Sequence, residues 1–375
     1  MTEQITARWP GQGTEGVSGA RLAGTVSDDH IVGLDLIRFA AAMLVLALHF
    51  GWIDFGWIGV QAFFVMSGLL IAHVSQARAA REFFVSRFLR LAPAAWICAT
   101  LSLAIGLGIH GPTRDILTGY VHSMLFWPRP PWVNIVYWTL YVEITFYAFV
   151  CVLLALGSSS RLLPMAAAIA IWSGAYNLFP AVAAHIPSPI AQMTLARFGC
   201  FFALGIAFHH CVYTGRGGWP VAILSLAGCL SQIWTYAASN GIALLPPVLT
   251  FLAMSAAIWS ATRYNGAIGG GLKAVSGHIK TLGLATYPLY LIHYDAKALI
   301  SHFVPAFGSS AAVKIAAVIA IVAISVVVAK CIEPGMRKPM RAALRFILYR
   351  RTGGHGPSDT TYSPGATSRV GRAVR

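Results

Sequence analysis

The chain has 375 residues, 57% hydrophobic and 10% charged, with a formal net charge of +15. A mean hydropathy of +0.69, with apolar stretches recurring near the ~20 residues that cross a bilayer, excludes an ordinary soluble domain. The charge does not point to nucleic acid. Many cations fall in short loops and in the tail, among them Arg337, Lys338, Arg341, Arg345, Arg350, Arg351, Arg369, Arg372 and Arg375, the pattern of charge kept on the inner side of a membrane.

Residues 1–30 are polar, rich in Gly and Thr, and lack the apolar core of a cleavable signal. They are expected to form a disordered cytoplasmic segment, with the first span acting as an uncleaved insertion signal. Hydropathy predicts ten spans, at about 31–50, 57–75, 91–109, 136–156, 163–180, 191–212, 219–238, 242–261, 281–302 and 311–332. Breakers separate them, notably Pro128-Arg-Pro-Pro131, Pro187-Ser-Pro189, Gly215-Arg-Gly-Gly218 and Gly269-Gly-Gly271.

With both termini in the cytoplasm, the inner loops carry Arg78, Arg81, Arg87 and Arg90; Arg161; Arg216; and Arg263, Lys273 and Lys280. The outer loops carry Arg114 and Arg129, while 181–190 and 239–241 hold no Lys or Arg. That asymmetry supports the orientation. The fold class is therefore all-α and polytopic: a ten-helix domain at 31–333 and a basic cytoplasmic tail at 334–375, opening with an interfacial helix at Met336–Tyr349. No internal repeat of the kind common in transporters is visible. The cysteines (Cys98, Cys151, Cys200, Cys211, Cys229, Cys331) lie in or beside apolar spans with no metal spacing, and read as small hydrophobes.

Polar groups inside the spans carry the functional signal. Arg38 and His49 are eleven residues apart in one apolar stretch, which returns them to the same helix face ~16 Å apart. One reading is a reaction site or pathway. The other is an arginine that snorkels to the headgroups and a histidine that caps the span. Glu143 in the fourth span and His293 in the ninth fall at a depth comparable with His49, where a carboxylate could orient an imidazole. Each also fits a purely interhelical contact. Arg87 and Arg90, in the inner loop before the third span, share a face if that loop is helical, and their forks match phosphate oxygens. Ordinary inner-side charge explains them equally. Trp132, Tyr137, Trp138 and Tyr141 read as an aromatic belt or a sugar-stacking platform. Loop 110–135, with His110, His122 and Trp127, is a candidate for acceptor contacts. Asp35 either pairs with Arg38 or is an exposed acid of the inner surface.

Six segments in order give the chain a resemblance. They are Leu34-Asp-Leu-Ile-Arg-Phe-Ala40 with His49; Gly59-Val-Gln-Ala-Phe-Phe-Val-Met-Ser-Gly68; Phe84-Val-Ser-Arg87-Phe-Leu-Arg90; Trp138-Thr-Leu-Tyr-Val-Glu143; Tyr287-Pro-Leu-Tyr-Leu-Ile-His293; and Glu333-Pro334. Over roughly 31–335 the sequence resembles the acyltransferase 3 family of membrane acyltransferases. The resemblance implies a multi-pass protein of the bacterial inner membrane. It implies acyl transfer, by default of acetyl, from cytoplasmic acyl-CoA to a hydroxyl of an envelope or secreted carbohydrate or a glycosylated metabolite, with no metal. Arg38 and His49 match the family's hallmark pair. Gln61 departs from the pattern, which often has an acid there.

Chemistry assigns the roles. An alcohol needs a base, and His49 is the natural one. Arg38 and Glu143 are the further catalytic candidates, Arg87, Arg90 and Arg38 the donor-binding residues, and Trp138, Tyr141 and His293 the acceptor-side residues. The rival readings are a proton-coupled transporter or flippase using His49, Glu143 and His293 as a relay, and an assembly subunit whose polar groups only join helices.

Overall fold

The computed structural model describes residues 31–75, 78–215 and 217–349. The expectations for 1–30, for Arg216 and for the tail beyond 349, including Arg350, Arg351, Arg369, Arg372 and Arg375, lie outside the described residues. No strand occurs among the described residues. In chain order the helices are α1 (Val32–His49), α2 (Ile58–Ser75), α3 (Ala80–His110), α4 (Arg114–Met124), α5 (Trp138–Ala155), α6 (Leu162–Leu178), α7 (Pro180–His185), α8 (Ser188–Met193), α9 (Gly199–Tyr213), α10 (Gly218–Ser239), α11 (Leu245–Arg263), α12 (Asn265–Gly271), α13 (Ser276–Phe303), α14 (Ala311–Val327) and α15 (Glu333–Tyr349).

Every predicted span contains a helix, but not all have the length and composition of a crossing. Seven runs do: α1, α2, α3, Ile135–Ala155, α10, α11 and Ala311–Ile347. Helices α6 and α9 are apolar but have 17 and 15 residues. At 1.5 Å per residue they cover about 26 and 23 Å of a hydrocarbon core about 30 Å thick. Helix α13 is long, but Lys280, Asp295 and Lys297 interrupt it and it is not one of the seven. The protein is an integral, multi-pass membrane protein.

Three predicted boundaries move. The third span is one helix from Ala80 to His110, so Arg87 and Arg90 sit inside it rather than in a loop. A π-helical turn at Val328–Ile332 joins α14 to α15, so the interfacial helix begins at Glu333 without a break. The predicted span at 191–212 is divided: α8 ends at Met193 and α9 starts at Gly199.

Glycines bring the central helices to backbone contact. A Cβ on Gly68 of α2 would stand 2.1 Å from the Phe202 carbonyl of α9, and one on Gly205 would stand 2.0 Å from the Val65 carbonyl of α2. Gly59 meets the Ala41 carbonyl of α1 in the same way, at 2.2 Å. Lipid offers helices no hydrophobic drive to associate, so such close packing has to supply it. Two apolar clusters result. One centres on α2, α5, α9 and α10; the other joins α1, α3, α13, α14 and the start of α5. The polar groups lie where α1, α2, α3, α5 and α13 meet.

Candidate active site

His49 ends α1 and is half-buried. Its Nδ1 lies 2.9 Å from the Val45 carbonyl oxygen one turn back and 3.0 Å from Nε2 of His293 on α13. A carbonyl only accepts, so His49 Nδ1 carries the proton and shares it between these two acceptors. His293 obeys the same logic: its Nδ1 donates to the Tyr290 carbonyl at 2.8 Å, leaving Nε2 as the acceptor that faces His49. Both tautomers are thus set by the backbone. The remaining atom, His49 Nε2, has its lone pair free, with no hydrogen bond from a described residue. Tyr294 stands edge-on to the His49 ring, with centroids 5.3 Å apart. The Lys297 ammonium lies within electrostatic reach of both imidazoles.

The register of α13 at this level is pinned from behind. Ser102 Oγ of α3 and Asn134 Nδ2, just before α5, each donate to Asp295 Oδ2 at 2.5 Å. Asn134 Nδ2 also donates to the Leu291 carbonyl at 3.0 Å, while its Oδ1 accepts from Val136 N at 3.1 Å. Two residues from His293, this buried network ties three elements together.

A separate cavity of about 110 Å³ is lined by Arg38, Arg87, Arg90, Glu143, Tyr147 and Tyr290, among others. Arg38 Nη1 donates to Asp35 Oδ1 at 2.9 Å, the pairing expected from their spacing. Asp35 packs on Gly283, where a Cβ would come within 2.4 Å of its carboxyl carbon. Arg90 lies over the Tyr287 ring at 5.8 Å, and Arg87 over Phe83 at 5.9 Å. Glu143 accepts from Ser67 Oγ at 2.9 Å and from the Tyr147 hydroxyl. Three guanidiniums against one lining carboxylate leave the cavity positive.

Here the structure corrects an expectation. Glu143 does not pair with His49; its partners are Ser67 and Tyr147, and the imidazole that touches His49 is His293. Nor does His293 face the aromatic cavity described next, as an acceptor-side residue would. His49 itself lines neither cavity. Tyr290 stands between the arginine cavity and His293: it lines the cavity, packs on the Phe63 ring at 5.7 Å and lies 5.9 Å from the His293 ring.

The second cavity, about 420 Å³, is bordered by Trp57, Trp132, Trp138, Tyr141, Tyr176, Phe198 and Tyr236, with Gln61, Gln192, Gln232, Ser188 and Arg197. Its size falls within the about 300–1,000 Å³ usual for small-molecule sites. Trp138 and Tyr141 are where the sequence suggests a stacking platform. From loop 110–135, Pro128, Trp132 and Ile135 reach it. His122 instead bonds the carbonyls of Arg129 and Pro131 at 3.1 and 3.0 Å, and Trp127 accepts from Trp132 Nε1 at 2.9 Å. Gln61 Nε2 donates to Gln232 Oε1 at 2.6 Å. Val60 lines both cavities, so they back onto each other at one side chain. Sequence reasoning missed Gln232, Tyr236, Arg197, Tyr294 and Lys297, none of which carries a local signal.

Fold and polar interior together define an integral-membrane protein that keeps its titratable chemistry inside the helix bundle. Within that class, the chain belongs to the acyltransferase 3 family, whose acyltransferase domain matches residues 31–330. It is similar to Peptidoglycan O-acetyltransferase OatA of Listeria monocytogenes, 28% identical over 166 residues, covering 36% of this chain and 27% of that protein. It is also similar to the Bacillus subtilis protein named "Putative peptidoglycan O-acetyltransferase YrhL", 39% identical over 77 residues, covering 18% of this chain and 12% of that protein. The matched region spans about a quarter or less of the length of these relatives. No solved structure matches.

Proposed function

We propose that this protein is a membrane O-acyltransferase that moves an acyl group, acetyl by default, from cytoplasmic acyl-CoA to a hydroxyl of an envelope carbohydrate. The observation that carries this reading is the tautomer of His49: Nδ1–H held by Val45 O and His293 Nε2, with Nε2 left as a base. Nε2 takes the proton of the acceptor hydroxyl as its oxygen attacks the thioester carbonyl carbon. Collapse of the tetrahedral intermediate breaks the C–S bond, and the leaving thiolate takes the proton back from Nε2. His293 accepts from Nδ1–H throughout, in the orienting role that a carboxylate fills in other triads.

The arginine cavity suits the donor. Arg38, Arg87 and Arg90 offer forked donors to phosphate and carbonyl oxygens, and α3 presents Arg87 and Arg90 near its start, on the side read as cytoplasmic. The cavity is narrow enough for a slender arm rather than a whole nucleotide. Tyr290 lines it and gives its carbonyl to His293, so a thioester beside Tyr290 is one side chain from His293, with the Tyr290 ring turning aside to admit it. The aromatic cavity suits the acceptor, with Trp138 and Tyr141 as faces for a sugar ring. The two relatives are named for O-acetyl transfer to peptidoglycan, a carbohydrate polymer, which supports the acceptor class.

The relay reading is less well supported. Among the described residues Glu143 bonds neither histidine, so the relay lacks its carboxylate step. The test is release of coenzyme A thiol by the purified protein given acetyl-CoA and an envelope-glycan extract. Release that depends on the extract and on His49 is expected; acceptor-independent or His49-independent release overturns the reading.

A further inference from the structure

The polar groups in the aromatic cavity are unevenly matched. Gln61 is 2% exposed; its Nε2 is used by Gln232, yet its Oε1 is buried without a partner. Trp57 Nε1, on the same wall, is also buried without an acceptor. An unpaired buried acceptor and an unpaired buried donor each cost stability unless a ligand or a water meets them. A sugar hydroxyl can meet either one.

Charge adds the decisive constraint. Arg197 lines the cavity and no Asp or Glu does. Its guanidinium stands over the Phe198 ring at 5.7 Å, and Phe198 in turn packs on Trp138 at 5.2 Å. The backbone beneath is fastened, since Asn177 Nδ2 donates to the Arg197 carbonyl at 3.2 Å. No ion pair to Arg197 is formed within the described residues. An exposed cation lining an aromatic cleft, with amides beside it, discriminates in favour of an anion. The Gln61 amide, paired to Gln232, adds no charge to oppose this field.

We infer that the aromatic cavity selects an anionic saccharide, with Arg197 pairing to its carboxylate while Gln61 Oε1 and Trp57 Nε1 meet neutral groups of the same sugar. This rests on the carbohydrate reading of the cavity given above.

The test uses the full chain in nanodiscs of zwitterionic lipid, so that no headgroup supplies the anion. Tryptophan fluorescence, to which Trp57, Trp132 and Trp138 contribute, is titrated with tetramers of β-1,4-glucose and of β-1,4-glucuronate. The glucuronate tetramer is expected to bind roughly 10- to 100-fold tighter, the range of one charged hydrogen-bonded contact. Arg197→Gln is expected to abolish that ratio, and Gln61→Glu to shrink it. Equal binding of the two tetramers, or a ratio untouched by Arg197→Gln, overturns the inference and leaves the carbohydrate reading standing. Binding of neither tetramer overturns both. Loss of the ratio on adding phosphatidylglycerol to the nanodiscs, with Arg197→Gln insensitive to that lipid, assigns Arg197 to a headgroup and overturns the inference too.

Discussion

Replacing His293 with leucine removes the acceptor 3.0 Å from His49 Nδ1 and keeps most of the apolar volume. Val45 O remains 2.9 Å away, so the His49 tautomer survives and only one of two orienting contacts is lost. A neutral hydrogen bond contributes about 0.5–1.5 kcal/mol net. At 1.36 kcal/mol per tenfold, kcat is expected to fall about 2- to 12-fold. Removing the base itself, as in His49→Ala, forfeits the general-base term of about 10²- to 10⁴-fold. The two variants should therefore be separated by about eightfold or more. His293→Gln, whose side-chain oxygen can accept from Nδ1–H, should recover part of the loss. The assay is initial coenzyme A thiol release at saturating acetyl-CoA and fixed glycan extract, on monodisperse protein. Wild-type rates in His293→Leu would refute the orienting role, and so would a loss equal to that of His49→Ala.

Other perturbations separate donor binding from chemistry. Arg90→Ala and Arg87→Ala should each raise KM for acetyl-CoA by roughly 10- to 100-fold, the range of one charged hydrogen-bonded contact; an unchanged KM with a reduced kcat would place these residues elsewhere. Glu143→Gln keeps an acceptor for Ser67 and Tyr147 but loses the charge, so it should shift KM for acetyl-CoA by about fivefold, the difference between charged and neutral contacts. A kcat loss as large as that of His49→Ala would restore Glu143 to the proton step. Gly283→Ala drives a methyl into the Asp35 carboxyl, 2.4 Å away, and should lower stability by about 1–3 kcal/mol. Thermal unfolding in detergent would read this as a reduced Tm, and a wild-type Tm would contradict the packing.

Local pattern made part of this site readable from the chain alone. Asp35 and Arg38 are three residues apart on one helix, and they pair. Arg87 and Arg90 have the same spacing and share a helix and a cavity. The aromatic residues at the start of α5 do border a cavity. What stayed hidden is what joins distant helices. His49 meets His293 across 244 residues, and Gln61 meets Gln232 across 171; no periodicity encodes such contacts. Glu143 shows the limit most clearly. Counting residues along a helix gives depth but not the direction a side chain faces across the bundle, and Glu143 turns to Ser67 and Tyr147. The spans followed apolar run length well where helices were long. The span predicted at 281–302 falls inside α13, whereas the one at 191–212 is broken where residues 194–198 form turns rather than helix.

The most direct measurement compares envelope glycans by mass spectrometry from cells expressing wild-type protein or His49→Ala, at equal membrane abundance. The acetyl mass increment on the acceptor glycan should be present with the wild type and fall by about two orders of magnitude or more with His49→Ala. Equal acetylation in the two strains would contradict His49 as the base.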